Sequence, residues 1–356
     1  MTTTAIPAGF VIPGNIDLPT GGYAYDRRVL ALLPRFGVDI QHVALPGSFP
    51  GPDSSDLETS ERMLAALPPD LPLLIDGLAL GAIPSAMVAR IRQPIVALCH
   101  HPLALEAGLS ELQQTHFRTT ETAALALARH VIATSAMTGR TLTAEFGVPE
   151  ARLTIAEPGT DPAARAAGSA ASAGAPLQLL AVGSIVPRKG YDVLVAALTG
   201  LMDRPWRLTI AGSDDRDPQT TCAIERLITD AGFDGRISMI GAVGPAQLDR
   251  LYDGADIFVM PSLFEGYGMV LAEAMARGLP IVCTTGGAAA ETAPDSAALK
   301  VPPGDAGAFR VAVARVLDNQ AERRSMSDAS WIAGQTLPRW CDTARIIADV
   351  LKKVTA

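Results

Sequence analysis

Two carboxylates stand eight positions apart in the run SLFEGYGMVLAEAMARGLP, residues 262–280: Glu265 and Glu273, on either side of a glycine-flanked turn. The preceding DIFVMPS reads as a strand, FEGYG as a turn, and the apolar stretch from about Met269 as a helix. Glu265 then sits in the loop, and Glu273 lies four residues into the helix, about 6 Å along its axis. Both carboxylates can reach one extended polar ligand. The competing reading is a capping glutamate followed by a solvated helix glutamate. Ala272, Ala274 and Met275 crowd Glu273 with apolar neighbours and weigh against a fully solvated face.

Cations complement them in GSIVPRKGYDVLVAAL, residues 183–198, where a strand ends at Gly183 in a turn carrying Arg188 and Lys189 before a helical pattern. Adjacent cations at a helix start suit an anion, because the unpaired N–H groups and the dipole already favour negative charge there. Arg grips phosphate oxygens in pairs and Lys acts as a compact charge. A solvated Arg-Lys pair is the alternative. PTGGYAYDRRVL, residues 19–30, offers a second glycine-rich turn, Gly21 and Gly22, between the first strand and the first helix. It reads equally as an approach to a bulky anion or as an ordinary tight turn. Neither GxGxxG after the first strand nor GxxxxGK[ST] occurs. His100 and His101 close the apolar run PIVALCHHP, at the carboxyl end of another strand. Neighbouring strand residues point to opposite sides, so at most one of the two faces a given ligand, and a satisfied structural histidine is the alternative for either. His42, His116 and His130 read as structural.

The elements that must position these groups alternate. GFVIPG, YAYDRRVLALLPRFG, VDIQHVAL, PLLIDGLAL, PIVALCHH and RHVIATS make one strand-and-helix series. LQLLAVGS, YDVLVAALTGL, WRLTIAGS, RISMIGAV, DIFVMPS and LPIVCTT make a second. Such alternation predicts two doubly wound parallel sheets with ligands at the carboxyl ends of the strands, facing a central cleft. The expected division is an N-terminal domain over 1–161, a flexible Ala/Gly/Ser-rich linker over 162–176, a C-terminal domain over 177–335, and a terminal helix over 336–356 docking back toward the first domain.

The 356-residue chain is 48% hydrophobic and 19% charged, with a formal net charge of -8. That acidity excludes nucleic acid as the main partner. The N-terminus lacks the basic start and apolar core of a signal peptide, and no apolar run of about 20 residues offers a membrane span. A cytoplasmic, soluble protein is expected. Cys99, Cys222, Cys283 and Cys341 form no CxxC pair and read as buried free thiols rather than zinc ligands.

Taken in order, PTGG, GSIVPRKGYDVLVAAL, ADIFVMPS, EGYGMVLAE with its Glu-x7-Glu spacing, GLPIVCT and the tail's LPRWCDTA resemble the retaining glycosyltransferase family 4 over nearly the whole chain. The resemblance implies an α/β protein of GT-B fold, two Rossmann-like domains, and sugar transfer from a UDP- or GDP-sugar to a hydroxyl acceptor with retention and without a metal or other cofactor. It places Glu265 beside the donor sugar and the backbone around Gly266, Gly268, Met269 and Val270 near the sugar and phosphates. Glu273 falls on the ribose, Arg188 and Lys189 on the diphosphate, and Gly22, with Gly21, on the N-domain approach. Gly183 opens the cationic block and is counted with the donor-binding residues. His100 matches the family histidine that contacts the sugar. His101, on the possible acceptor side, replaces an Asp common in the family, and AGSDDRDP at 211–218 replaces a glycine-rich turn. The DxD from Asp215 to Asp217 is set aside as a metal motif, since two cations already serve the diphosphate. A small soluble acceptor is expected, with a lipid as runner-up. A nucleotide-sugar epimerase of the same fold and an inactive binding partner are the alternative functions. A nicotinamide-dependent oxidoreductase would need the missing GxGxxG.

Overall fold

A computed structural model describes residues 5–106, 108–169 and 176–355. The chain divides into two units, Met1–Gly159 with Pro338–Ala356, and Thr160–Leu337. Each is built on one six-stranded sheet in which every pairing is parallel.

The first unit contains β1 (Ile6–Pro13), β2 (Val38–Leu45), β3 (Leu73–Asp76), β4 (Ile95–Cys99), β5 (His130–Ala133) and β6 (Leu153–Ile155), in the order β2-β1-β3-β4-β5-β6. LLID and IVALC are buried at every position, the mark of strands covered on both faces. The order reverses between β1 and β3, and the loops leaving their carboxyl ends open a crevice there. Helix Gly21–Leu32 follows β1. Thr20 caps it by accepting from Tyr23 N (3.2 Å), so Gly21 and Gly22 are its first two residues rather than a turn before it.

The second unit contains β7 (Leu177–Val182), β8 (Trp206–Ala211), β9 (Ile237–Met239), β10 (Ile257–Met260), β11 (Ile281–Thr284) and β12 (Ala298–Val301), in the order β12-β11-β10-β7-β8-β9. Its reversal lies between β7 and β10. The two motifs with chemistry, the cationic turn and the first glutamate, leave those two strands.

Helix Trp340–Thr355 belongs to the first unit. Trp340, Ala344, Ile347, Ala348 and Leu351 form its buried stripe at helical spacing. The Trp340 ring meets Tyr25 edge-on at 5.7 Å, and Thr343 Oγ1 donates to Glu157 O at 2.7 Å.

The expected flexible stretch is bonded where it is described. Ala166 N donates to Arg277 O (2.9 Å), Gly168 N to Asp253 O (2.8 Å) and Ser169 N to Asp256 Oδ1 (3.1 Å), so these small residues run along the second unit. Residues 170–175 of that stretch lie outside the described residues. Cys99 and Cys283 are buried free thiols, but Cys222 is exposed and Cys341 half-buried, since both sit on helix flanks. Among the described residues no helix is long and apolar enough to cross a membrane.

Candidate functional site

In the second unit β7 ends at Val182 and the chain passes through Gly183 to a short 3₁₀ turn, Pro187–Lys189, before helix Tyr191–Thr199. Tyr191 Oη donates to Gly183 O (2.9 Å) and ties both ends of the turn together. Gly183 leaves room for the Lys189 stem, because a Cβ there would stand 3.0 Å from Lys189 Cε. The loop after β10 is joined to this turn by Leu263 N, which donates to Arg188 O (2.7 Å). It is joined to the loop after β11 by Glu265 N donating to Gly286 O (3.2 Å) and Ala288 N donating to Glu265 O (2.8 Å). Gly287 permits that approach, since a Cβ there would lie 2.3 Å from Glu265 O.

These ties bring Arg188, Lys189 and Glu265 together. Lys189 Nζ donates to Glu265 Oε1 at 2.6 Å, and Arg188 Nη1 lies 3.4 Å from Glu265 Oε2 while donating to Phe264 O at 2.7 Å. Glu265 is buried, which alone would raise its pKa. The Lys189 and Arg188 charges outweigh burial and bring it down to about 2. It is therefore a carboxylate at neutral pH and holds no proton to give. Two cations against one anion leave this cluster attractive to a further negative group.

Gly268 leads into helix Met269–Ala276, whose first N–H groups, from Met269 and Val270, have no intrahelical partner. Glu273 is on the same helix. Tyr252 Oη donates to Glu273 Oε2 (2.8 Å), and Arg277 lies over the Tyr252 ring at 4.5 Å while pairing with Asp249. Burial raises the Glu273 pKa above its ordinary value despite the Tyr252 hydrogen bond and the Arg277 charge. Tyr252, Arg277 and Gly287 escaped the sequence reading. Only the position of Tyr252 in LYDGADIFVMPS, upstream of the motif strand, hinted at it.

In the first unit Gly22 meets His100: a Cβ on Gly22 would stand 3.4 Å from His100 Cδ2. His101 turns elsewhere, with Nε2 2.7 Å from Glu106 Oε2. His100 Nε2 lies 3.2 Å from Asp26 Oδ1 and 3.6 Å from Asp76 Oδ2, two buried carboxylates that sequence reasoning missed. Asp26 follows Gly22 by one helical turn, and Asp76 ends a strand otherwise apolar, which are the signals that could have found them.

The Asp215–Asp217 pair is used locally. Asp217 caps helix Pro218–Asp230 by accepting from Thr220 N (2.9 Å), and Asp215 accepts from Ser213 Oγ (2.5 Å).

Residues 55–164 match the family model described as Glycosyltransferase Family 4, and residues 176–319 match that described as Glycosyl transferases group 1. Together these matches support a family 4-like glycosyltransferase. Its fold is the two-domain GT-B fold. Over 98% of both chains it superposes on a sucrose-phosphate synthase from Thermosynechococcus elongatus with a TM-score of 0.79 at 20% identity. Anabaena Alr3699/HepE, solved in complex with UDP and glucose, matches at a TM-score of 0.75 and 16% identity over 97% of this chain and 99% of that one. A D-inositol 3-phosphate glycosyltransferase from Nocardia farcinica is 30% identical over 224 residues, 58% of this chain and 50% of the relative. Mannosylfructose-phosphate synthase from Agrobacterium fabrum is 35% identical over 115 residues, 31% of this chain and 25% of the relative. The chain thus spans half or less of the length of these two curated relatives.

Proposed function

We propose that the chain transfers a sugar from a UDP- or GDP-sugar to a hydroxyl acceptor, with retention of anomeric configuration and with no metal ion required. The observation that carries this reading is the cluster of Lys189, Arg188 and Glu265 at the strand-order reversal of the second sheet, one loop from the start of the helix bearing Glu273.

In this reading the diphosphate lies on Arg188, Lys189 and the N–H groups at Met269 and Val270, near Gly183, Gly266 and Gly268. Glu265 orients the sugar, and His100, with Gly21 and Gly22 before it, supplies a further contact to the donor. The ribose hydroxyls fall to Glu273. The bond from the anomeric carbon to the diphosphate breaks and a bond to the acceptor oxygen forms on the same face. The acceptor proton passes to a phosphate oxygen, and the nucleoside diphosphate leaves. A unit charge pair at 4 Å is worth about 4 kcal/mol at an effective dielectric of 20, so each cation facing the departing diphosphate acts directly on the rate. Glu265, held ionised between two cations, orients rather than protonates. His101 is assigned to the acceptor side, and a small soluble acceptor is favoured over a lipid because the acidic chain offers no basic run for an anionic membrane.

Thermal denaturation with UDP, GDP or ADP tests the reading, since a ligand bound only to the folded state raises the melting temperature. A rise with UDP or GDP, unchanged by a chelator, is expected. No rise with any nucleoside diphosphate, or one abolished by chelation and restored by Mg²⁺ or Mn²⁺, would contradict it.

The Tyr252 hydroxyl aims Glu273 Oε2. Tyr252→Phe is expected to weaken nucleotide binding about five- to tenfold, the net worth of one ordinary hydrogen bond. Calorimetry against the wild type measures this, and an unchanged affinity would show that the hydroxyl does not set the carboxylate's aim.

A further inference from the structure

The carboxyl ends of β1, β3 and β4 in the first unit bring together three titratable groups that share one point. Asp26 is wholly buried on helix Gly21–Leu32, Asp76 is buried at the end of β3, and His100 follows β4. Asp76 Oδ1 accepts from Leu78 N (2.6 Å), which turns Oδ2 toward the ring. Asp26 presents Oδ1 to the same nitrogen, and its Oδ2 is buried with no hydrogen-bond partner. Thr134 Oγ1 donates to His100 O (3.1 Å), and the Tyr25 ring stands edge-on to the imidazole at 5.1 Å and 84°. Both carboxylates address Nε2. Among the described residues Nδ1 makes no hydrogen bond, and the His100 side chain is 22% exposed, enough for a ligand to reach it.

Buried charge is tolerated when it is balanced. Two carboxyls and one imidazole reach neutrality when one carboxyl is protonated, the other ionised and the ring cationic. The groups nearby support that distribution. Burial opposes the charge on His100, but the two aspartates raise it to about 10. Burial and the neighbouring Asp76 raise Asp26 to about 8. For Asp76 burial acts upward, but the hydrogen bond and charge of His100 bring it below its ordinary value. Of the other groups on these elements, Tyr25 and Cys99 are pushed well above their ordinary ranges by burial and stay neutral, and His101 faces Glu106.

We propose that Asp26 and Asp76 are positioning residues that keep the His100 ring doubly protonated with Nε2–H turned inward, so that Nδ1–H is presented as a fixed hydrogen-bond donor to a ligand oxygen. The ligand oxygen belongs to a hydroxyl or phosphate of the nucleotide-sugar, and this last assignment rests on the proposed function above. A ring in that state cannot act as a general base, so His100 orients the donor and stabilises charge rather than taking the acceptor's proton.

Ring nitrogen spectra of ¹⁵N-histidine protein test this directly. The chain has five histidines, and the His100 signals are assigned by their loss in His100→Gln. Both ring nitrogens are expected to stay protonated from about pH 5.5 to 8.5, where a free imidazole with a pKa of about 6.5 would titrate. In the double variant Asp26→Asn with Asp76→Asn, the ring is expected to lose its proton within or below that window, a fall of about two pH units or more. A neutral His100 ring at pH 7 in the wild type overturns the proposal, and this holds even where the double variant fails to fold. So does a double variant that folds and keeps its imidazolium. The donor atoms of the three residues lie within 4.8 Å of one another, so the spectra are repeated with Zn²⁺ and Mn²⁺. Stoichiometric displacement of the His100 signals would mark a metal centre and also overturn the proposal. Melting with UDP and GDP on the same samples separates the two readings: a cationic ring in a protein that binds neither nucleotide sinks the donor assignment and leaves the ring's charge state standing.

Discussion

Replacing Lys189 by alanine is expected to lower the turnover of nucleotide-sugar about a hundredfold or more, and Arg188→Ala to do so comparably, by analogy with removal of a donor that faces developing negative charge. In the proposed reaction charge accumulates on the diphosphate as the glycosidic bond breaks, and these are the two cations that the loops after β7 and β10 bring to one carboxylate. Lys189 carries the closer pairing, at 2.6 Å. Its removal strips the buried Glu265 of its nearer cation and leaves Arg188 facing it, so some loss of stability accompanies the loss of rate. Release of nucleoside diphosphate at saturating donor, with folding checked by circular dichroism, measures the effect. Turnover within threefold of the wild type in both variants would remove these residues from the chemistry.

Gly190→Ala is expected to destabilise the protein by about 2–4 kcal/mol. Gly190 closes the cationic turn at φ +65°, and a Cβ there would stand 2.4 Å from Pro261 O. The left-handed backbone alone costs an alanine about 1–2 kcal/mol, and relief of the contact must displace backbone rather than a flexible side-chain tip. A displacement separates the turn after β7 from the loop after β10, which together hold Lys189 on Glu265. Denaturant unfolding should therefore show lower stability, and nucleotide affinity should fall with it. A variant as stable as the wild type within about 0.5 kcal/mol would show that the turn has slack.

The strands were legible because covered parallel strands such as LLID and IVALC are unbroken apolar runs, and the Glu265-to-Glu273 motif because strand, turn and helix follow each other along the chain. Contacts made by residues distant in sequence were not. Asp26, Asp76 and His100 meet only because three strands lie side by side, and no local pattern records that adjacency. The start of the first helix was misplaced because the glycine pair reads as a turn, while the Thr20 side chain satisfies an N–H of the first turn and draws both glycines into the helix. Small residues near 165–169 read as flexible because composition carries no information on backbone partners, and their N–H groups find acceptors along the second unit. The Tyr252 contact to Glu273 spans 21 positions and needed the folded chain to be seen.

Whether the Glu265-to-Glu273 segment binds a nucleoside diphosphate is settled by calorimetric titration of UDP and GDP into wild type and Glu273→Ala. Glu273 approaches the proposed ribose from helix Met269–Ala276, and because its truncation also takes the nearer acceptor from the buried Tyr252 hydroxyl, binding is measured at a temperature where thermal unfolding shows both proteins folded. Measurable binding of one of the two nucleotides to the wild type is expected, with a loss of about tenfold or more in Glu273→Ala, the value of a charge-assisted hydrogen bond. Equal affinity in the two proteins, or no binding to either, would contradict it.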